Sequence, residues 1–469
     1  MKSRVFSFAL FCLKLEHSEL NTKKLKVKND QNQENISISK PFLINFVLPK
    51  RTFMKEQNVD VLVIGAGPAG TIAASIINQA GYKVKIVEKE KFPRFVIGES
   101  LLPRCMEALE EAKFLDAVKA KGFQEKFGAK FIRGESDLCD FNFSDQFTKG
   151  YNWTWQVPRG EFDLTLATEV QKQGVEVNFE STVTDIKFEG SNSTTKVLNK
   201  DGSEQIIKAK FIVDGSGYGR VIPRMFGLDK PSSLPPRKTL FTHIKDPNRL
   251  KYSEPNRITI VVHEPQTWIW VIPFSNGNTS VGFVANPPFF DKVKGKSPEE
   301  ALRFLINSEP HIKERFGDAE FLFEPRTIEG WSVTTEKFYG DGFVLTGNVT
   351  EFLDPVFSSG VTLASVSSQN AAHLVIKKLK GEHVDWEEEF MKPCMVGVEV
   401  FRSYVNGWYD GTLYDIFFSK ETNPEFKNQI CSVLAGYVWD TTNPFVKKHD
   451  RALKSLREVI NLSKPEKAN

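Results

Sequence analysis

Three sets of residues in this 469-residue chain have types and spacings suited to chemistry. Gly65-x-Gly67-x-x-Gly70 lets backbone approach a pyrophosphate, and a helix opening at Ala69 would steady the anion's charge. Glu88 follows at the distance where an acidic side chain reaches the ribose hydroxyls of an adenosine and repels a 2′-phosphate. Trp268-Ile-Trp270-Val-Ile272-Pro273 places two of only 8 tryptophans at i and i+2, on one face of a strand. That pattern suits a bulky wall beside a reactive centre, and it suits a hydrophobic core strand. Ser358-Ser359-Gly360, ahead of an apolar helix, can present bare backbone N–H groups to an anion. An ordinary serine-capped helix carries the same letters.

The elements that must position these residues are legible from periodicity. Val59–Ile64 is a buried parallel strand, Ala69–Ala80 a helix closed by Gly81, and Lys83–Val87 a second strand ending at Glu88. Short strands follow at Val175–Phe179, Val183–Phe188, Thr195–Asn199 and Gln205–Ala209, leading into Phe211-Ile-Val-Asp214. Lys230–Pro236 is a proline-rich link. Beyond it Thr239–Ile244, Arg257–His263, Thr267–Pro273 and Thr279–Ala285 form an antiparallel sheet, with Asn276-Gly277 as hairpin turn. Ser297–Glu300 is a capping box, Phe343–Thr346 a buried strand, and Val361–Lys380 a helix. From Trp386 onward the chain is mostly helical and aromatic.

Composition excludes several classes. A net charge of +3 is too weak for a nucleic-acid partner, and no apolar run reaches the roughly 20 residues of a membrane span. Charge is uneven: residues 1–53 carry a net +6 and the rest −3. That first segment is Lys/Asn-rich and aperiodic, an expected disordered extension or a misassigned start before Met54. The 5 cysteines are scattered, with no Cys-x-x-Cys, which suits a reducing cytoplasm and gives no metal site.

Further motifs lie in order along the chain: Phe92-Pro-Arg94, Gly98-Glu-Ser100-Leu-Leu-Pro103, Gln156-Val-Pro-Arg159-Gly-Glu-Phe162-Asp163, Asp214-Gly-Ser-Gly217 and Phe352-Leu-Asp354-Pro355-Val-Phe-Ser-Ser-Gly360. With the glycine motif and the tryptophan strand, they resemble the flavin-dependent halogenases, relatives of the class A flavoprotein monooxygenases, from Met54 to about Val446. The resemblance implies an α/β fold with α+β elements: a Rossmann-like FAD-binding domain of the p-hydroxybenzoate hydroxylase type (54–235 and 336–385), an antiparallel-sheet substrate domain (236–335) and a helical C-terminal region (386–469). It implies FAD supplied in reduced form, held by Gly65, Gly67, Ala69, Gly70, Glu88, Arg94, Ser100, Arg159, Asp214, Asn348, Pro355, Gly360 and Val361. Chloride or bromide would touch Ser359 and Gly360, and O2 is the co-substrate.

By the same resemblance Lys126 delivers the electrophilic halogen, while Trp268 and Trp270 keep substrate from the flavin hydroperoxide. Lys126, Gly128 and Lys130 alternate as on one strand face, which also fits a solvated edge, and Lys130 is the reserve. The family usually has Gly-Asp-Ala where this chain has Gly347-Asn348-Val, a neutral replacement that puts flavin affinity in question. Phe357-Ser-Ser-Gly replaces the Glu-Ser-Thr-Gly of tryptophan halogenases, which points to the phenol- and pyrrole-type branch. Asp354 or Glu351 could serve as base or be structural. The implied function is halogenation of a phenolic or other electron-rich aromatic, free or carrier-protein-bound, with reduced FAD from a separate reductase. An aromatic hydroxylase, a flavoprotein reductase and a non-catalytic FAD-binding partner remain the alternatives.

Overall fold

The structure, a computed structural model, describes residues 55–420 and 423–463; the expected extension at 1–53 lies outside them. Lys55–Ile64 is the centre of an eight-stranded sheet. It pairs in parallel with Glu204–Asp214 on one side and Val84–Val87 on the other, and Glu176–Asn178 and Phe343–Leu345 extend the parallel array. Its apolar residues are buried on both faces, Val61 and Val63 under helices and Leu62 against Val183, Ile186 and Val197; Val61, Leu62 and Val63 are each 0% exposed. The helix Pro68–Gln79 packs against the long helix Ser359–Leu379 and is buried from Pro68 to Ile77. Gly70 has no alternative here, since a Cβ would stand 1.9 Å from the Gly65 carbonyl oxygen.

The second sheet has seven strands, in the order Arg326–Glu329, Lys238–Lys245, Asn278–Ala285, Thr267–Pro273, Thr259–Glu264, Gly128–Arg133, Asp137–Asn142. Its period-2 pattern separates two cores. Ile269 and Val271 join Val281, Phe283 and the helices Pro298–Ser308 and Pro310–Phe316 on one face. Trp268, Trp270 and Ile272 join the opposite core, which the C-terminal helices complete through Tyr404, Trp408 and Phe417. Ser297 caps its helix in the expected box with Glu300.

Two expectations are corrected. The antiparallel sheet is not confined to 236–335, because Gly128–Arg133 and Asp137–Asn142 come from the segment assigned to the FAD-binding domain, and Gly128–Arg133 enters in parallel beside Thr259–Glu264. Local periodicity carries no information about which distant edge a strand will join. Lys126 and Lys130 also do not share one strand. Gln124–Lys126 pairs with Thr154–Gln156 in a separate two-stranded ribbon, and the chain changes sheet at the exposed Phe127. Neither lysine is solvated: both are buried, and Lys130 pairs with Glu254 at 3.0 Å.

Candidate functional site

A cavity of about 800 Å³, within the usual range for a cofactor site, opens between the two sheets. Of the residues expected to hold FAD, Gly65, Gly67, Ala69, Glu88, Arg94, Ser100, Arg159, Asn348, Pro355, Gly360 and Val361 line it. Gly67 stands at the N-terminus of Pro68–Gln79 with no side-chain cap, so the first N–H groups of that helix are left for an anion. Glu88 is aimed by two backbone donors, Ala66 N and Glu90 N, each at 2.8 Å.

Arg94 and Arg159 are held by a single buried carboxylate, Asp163. Arg159 reaches it with Nε at 2.8 Å and NH2 at 3.0 Å, and Arg94 with NH1 at 2.9 Å. Arg159 also donates to the Ile97 carbonyl at 3.0 Å, fixing the loop that precedes Ser100. The sequence assigned Asp163 no role; its i+4 spacing from Arg159 is the signal that marks it.

Two residues expected on the cofactor act behind it. Gly70 serves helix–strand packing. Asp214, 0% exposed, accepts from Ser216 N at 3.0 Å and Ile222 N at 2.8 Å, and so shapes the Gly215–Gly217 turn that lines the cavity.

At the far end of the cavity residues 352–358, the loop expected to meet the flavin, lead into the helix Ser359–Leu379. Ser358 adopts a left-handed conformation (φ 57°) and its side chain does not cap the helix, so the ordinary serine-cap reading fails. Ser358 and Gly360 face the cavity; Ser359, expected to touch the halide, is 3% exposed and is not among the lining residues. A Cβ at Gly360 would stand 3.3 Å from the Phe352 ring, a tight approach that a small shift of that ring would have to relieve.

The tryptophan wall faces the same space. Trp268, Trp270 and Ile272 line the cavity, and both indole N–H groups are tied off: Trp268 Nε1 donates to Tyr409 Oη and Trp270 Nε1 to Ser280 Oγ, each at 2.9 Å.

Lys126 is not a lining residue. It lies behind Ser100, donating from Nζ to Ser100 Oγ and to the Leu101 carbonyl, both at 2.8 Å. It is 3% exposed, and burial pulls its pKa down to about 7, with Cys105 opposing the shift. Phe143 lies 5.4 Å from the ammonium.

Residues to which the sequence assigned no role complete the site. Glu99 lines the cavity and is paired with His243 at 2.6 Å. Arg220 donates to the Asn348 and Val349 carbonyls, each at 3.1 Å, and holds the departing Gly347-Asn348 turn. Beyond the wall, Phe357 is surrounded by Tyr404 and Trp408, whose Oη and Nε1 are buried without a partner among the described residues.

The donor set fits FAD: an uncapped helix end and arginines for a pyrophosphate, an acid for the ribose, and an apolar slot with a second uncapped helix end for the ring. Similarity agrees. Residues 58–387 match the family of FAD binding domains. A flavoprotein/dehydrogenase from Cytophaga hutchinsonii is 64% identical, with a TM-score of 0.85 over 87% of this chain and 100% of that one. The 1H-pyrrole-2-carbonyl-[peptidyl-carrier protein] brominase of Pseudoalteromonas luteoviolacea is 28% identical over 82% of this chain and 93% of its own. The flavin-dependent brominase Bmp2 superposes with a TM-score of 0.75 at 25% identity, over 87% of this chain and all of that one. The chain therefore belongs to the FAD-binding domain family and, within it, to the flavin-dependent halogenases.

Proposed function

We propose that this chain halogenates an electron-rich aromatic acyl group, of phenol or pyrrole type, presented on a carrier protein. Bound reduced FAD supplies the electrons that activate O2 toward chloride or bromide. The protein supplies everything else. Asp163 orients Arg94 and Arg159 at the cofactor, and the uncapped helix end that opens with Ser359 and Gly360 holds the halide through their backbone N–H groups, the Ser358 N–H being already donated to the Pro355 carbonyl. Trp268 and Trp270 offer rings without free donors, so they exclude an aromatic substrate and do not compete for the halide.

Lys126 carries the reading. A buried amine that is half neutral near pH 7 can accept electrophilic halogen or hydrogen-bond hypohalous acid, and its position behind Ser100 places it outside the flavin space. The ring then gains the halogen and loses a proton, and the oxygen of hypohalous acid leaves as water. Carrier presentation is favoured because the pyrrole brominase and a pyrrole-carbonyl carrier-protein chlorinase from Pseudomonas fluorescens, both named for carrier-bound substrates, align over more than nine-tenths of their length. A separate flavin reductase delivers the reduced cofactor, since this chain shows one dinucleotide fingerprint. We place the enzyme in the cytoplasm: the four described cysteines are free, and no described helix is long and apolar enough to cross a membrane.

The test supplies FAD, a reductase, NADH and bromide with phenols and pyrrole-carbonyl substrates, free and carrier-bound. The expected result is a brominated carrier-bound product, abolished by Lys126→Ala while NADH is still consumed. A hydroxylated product without bromine would establish the monooxygenase reading instead, and full activity in Lys126→Ala would remove the lysine from its role.

A further inference from the structure

The C-terminal residue of the helix Lys392–Tyr409 lies between two parts of the site that are remote in sequence. The Tyr409 hydroxyl accepts from Trp268 Nε1 at 2.9 Å and donates to Asp354 Oδ2 at 2.9 Å. Asp354 Oδ1 in turn accepts from Val356 N at 3.1 Å and so caps the flavin-loop turn Pro355–Phe357. Most of the arrangement is shielded from water, with Tyr409 itself partly buried. Asp354 and Trp268 are each 2% exposed, and Arg237, 3% exposed, lays its guanidinium 3.6 Å from the Tyr409 ring centroid. Arg237 is itself anchored to Gln266 and Asn286, which flank the wall strand and its neighbour. One hydroxyl therefore satisfies a buried indole donor on the wall and a buried carboxylate on the loop that carries Ser358 and Gly360. Without it the indole donor is orphaned and the carboxylate keeps only its bond from Val356 N, in a medium where unsatisfied polar groups are costly.

We propose that Tyr409 is a positioning residue that sets the tryptophan wall and the halide-binding end of the flavin loop in register, and thereby decides how much of the activated oxygen reaches halide rather than escaping as hydrogen peroxide. This rests on the halogenase reading above. Wall and loop bound the same cavity, so a Trp268 ring free to turn would open that cavity to water. The Tyr409 ring is held independently by Arg237, so Tyr409→Phe removes the hydroxyl and leaves the packing in place.

The experiment uses the full chain with Tyr409→Phe, Trp268→Phe and the double variant. Without turnover, acrylamide quenching of tryptophan emission should rise in Tyr409→Phe relative to wild type, and the rise should be absent when Trp268 is also Phe. In turnover with bromide, brominated product per NADH should fall about fivefold, the size of one lost hydrogen bond, while hydrogen peroxide rises to match and FAD affinity holds. An unchanged ratio of product to peroxide would overturn the proposal. So would parallel loss of FAD binding and thermal stability, which marks a merely structural residue. If wild type makes no halogenated product, the halogenase reading fails, whereas the quenching comparison still tests whether Tyr409 holds Trp268.

Discussion

Lys126, to which the proposed function gives the electrophile, is set against the stability of its own fold. Burial is the largest cause of its depressed pKa, from 10.5 to about 7, and the two hydrogen bonds to Ser100 and Leu101 are the compensation the fold provides. The unfolded chain binds a proton at this lysine between about pH 7 and 10.5 that the folded chain does not, so stability rises with pH across that window. Below it the penalty is fully present. Lys126→Met should therefore stabilise the protein by a few kcal/mol near about pH 6, and the gain should fade toward about pH 10. Denaturant midpoints at the two pH values check this, and a gain independent of pH would mean that the amine carries no burial penalty.

At the scale of elements, the strand Thr267–Pro273 works because its two faces are spoken for. Ile269 and Val271 are locked into the core under Pro298–Ser308, which leaves Trp268, Trp270 and Ile272 no choice but the cavity side. The neighbouring strand leaves room for the larger ring: Gly282 is paired with Trp270, and a Cβ there would stand 2.2 Å from Cζ2. Gly282→Ala should push the indole toward the cofactor space, destabilise the chain by about 1–3 kcal/mol and weaken FAD binding by about tenfold. A flavin-fluorescence titration with a parallel melt measures both, and unaltered affinity would show that the ring yields away from the cavity. The tryptophan alternation was legible from spacing alone. Gly282 was not, because it matters only through a partner 12 residues away.

On the scale of the whole molecule, the cavity belongs to no single segment. The central sheet supplies Gly65 to Glu88, the seven-stranded sheet supplies the tryptophan strand, and the helix Ser359–Leu379 supplies the uncapped end at Gly360. The core behind the wall runs without a break into the C-terminal helices. Such sharing predicts one cooperative unfolding transition for the described fold, shifted upward by FAD; a hundredfold excess over Kd adds about 2.7 kcal/mol. Calorimetry with and without FAD decides. A separate early transition that ignores FAD would show that the wall-bearing sheet unfolds alone.

The sequence by itself determined the cofactor motif, the tryptophan face, most strand and helix limits, and the family. These depend on local periodicity and on residues whose backbone or side chain does one recognisable job. Residues 128–142 read as continuous with the first domain because nothing local announces a strand's distant edge. Only the tertiary structure decided that they join the tryptophan sheet, that Lys126 lies buried behind Ser100, and that Ser359 turns from the cavity while Ser358 faces it. It also decided that Asp163, Arg220, Gly282 and Tyr409 belong to the site. The reason is common to all of them. Each acts through a contact across long sequence separation or through an exclusion of solvent, and both exist only once the chain has packed.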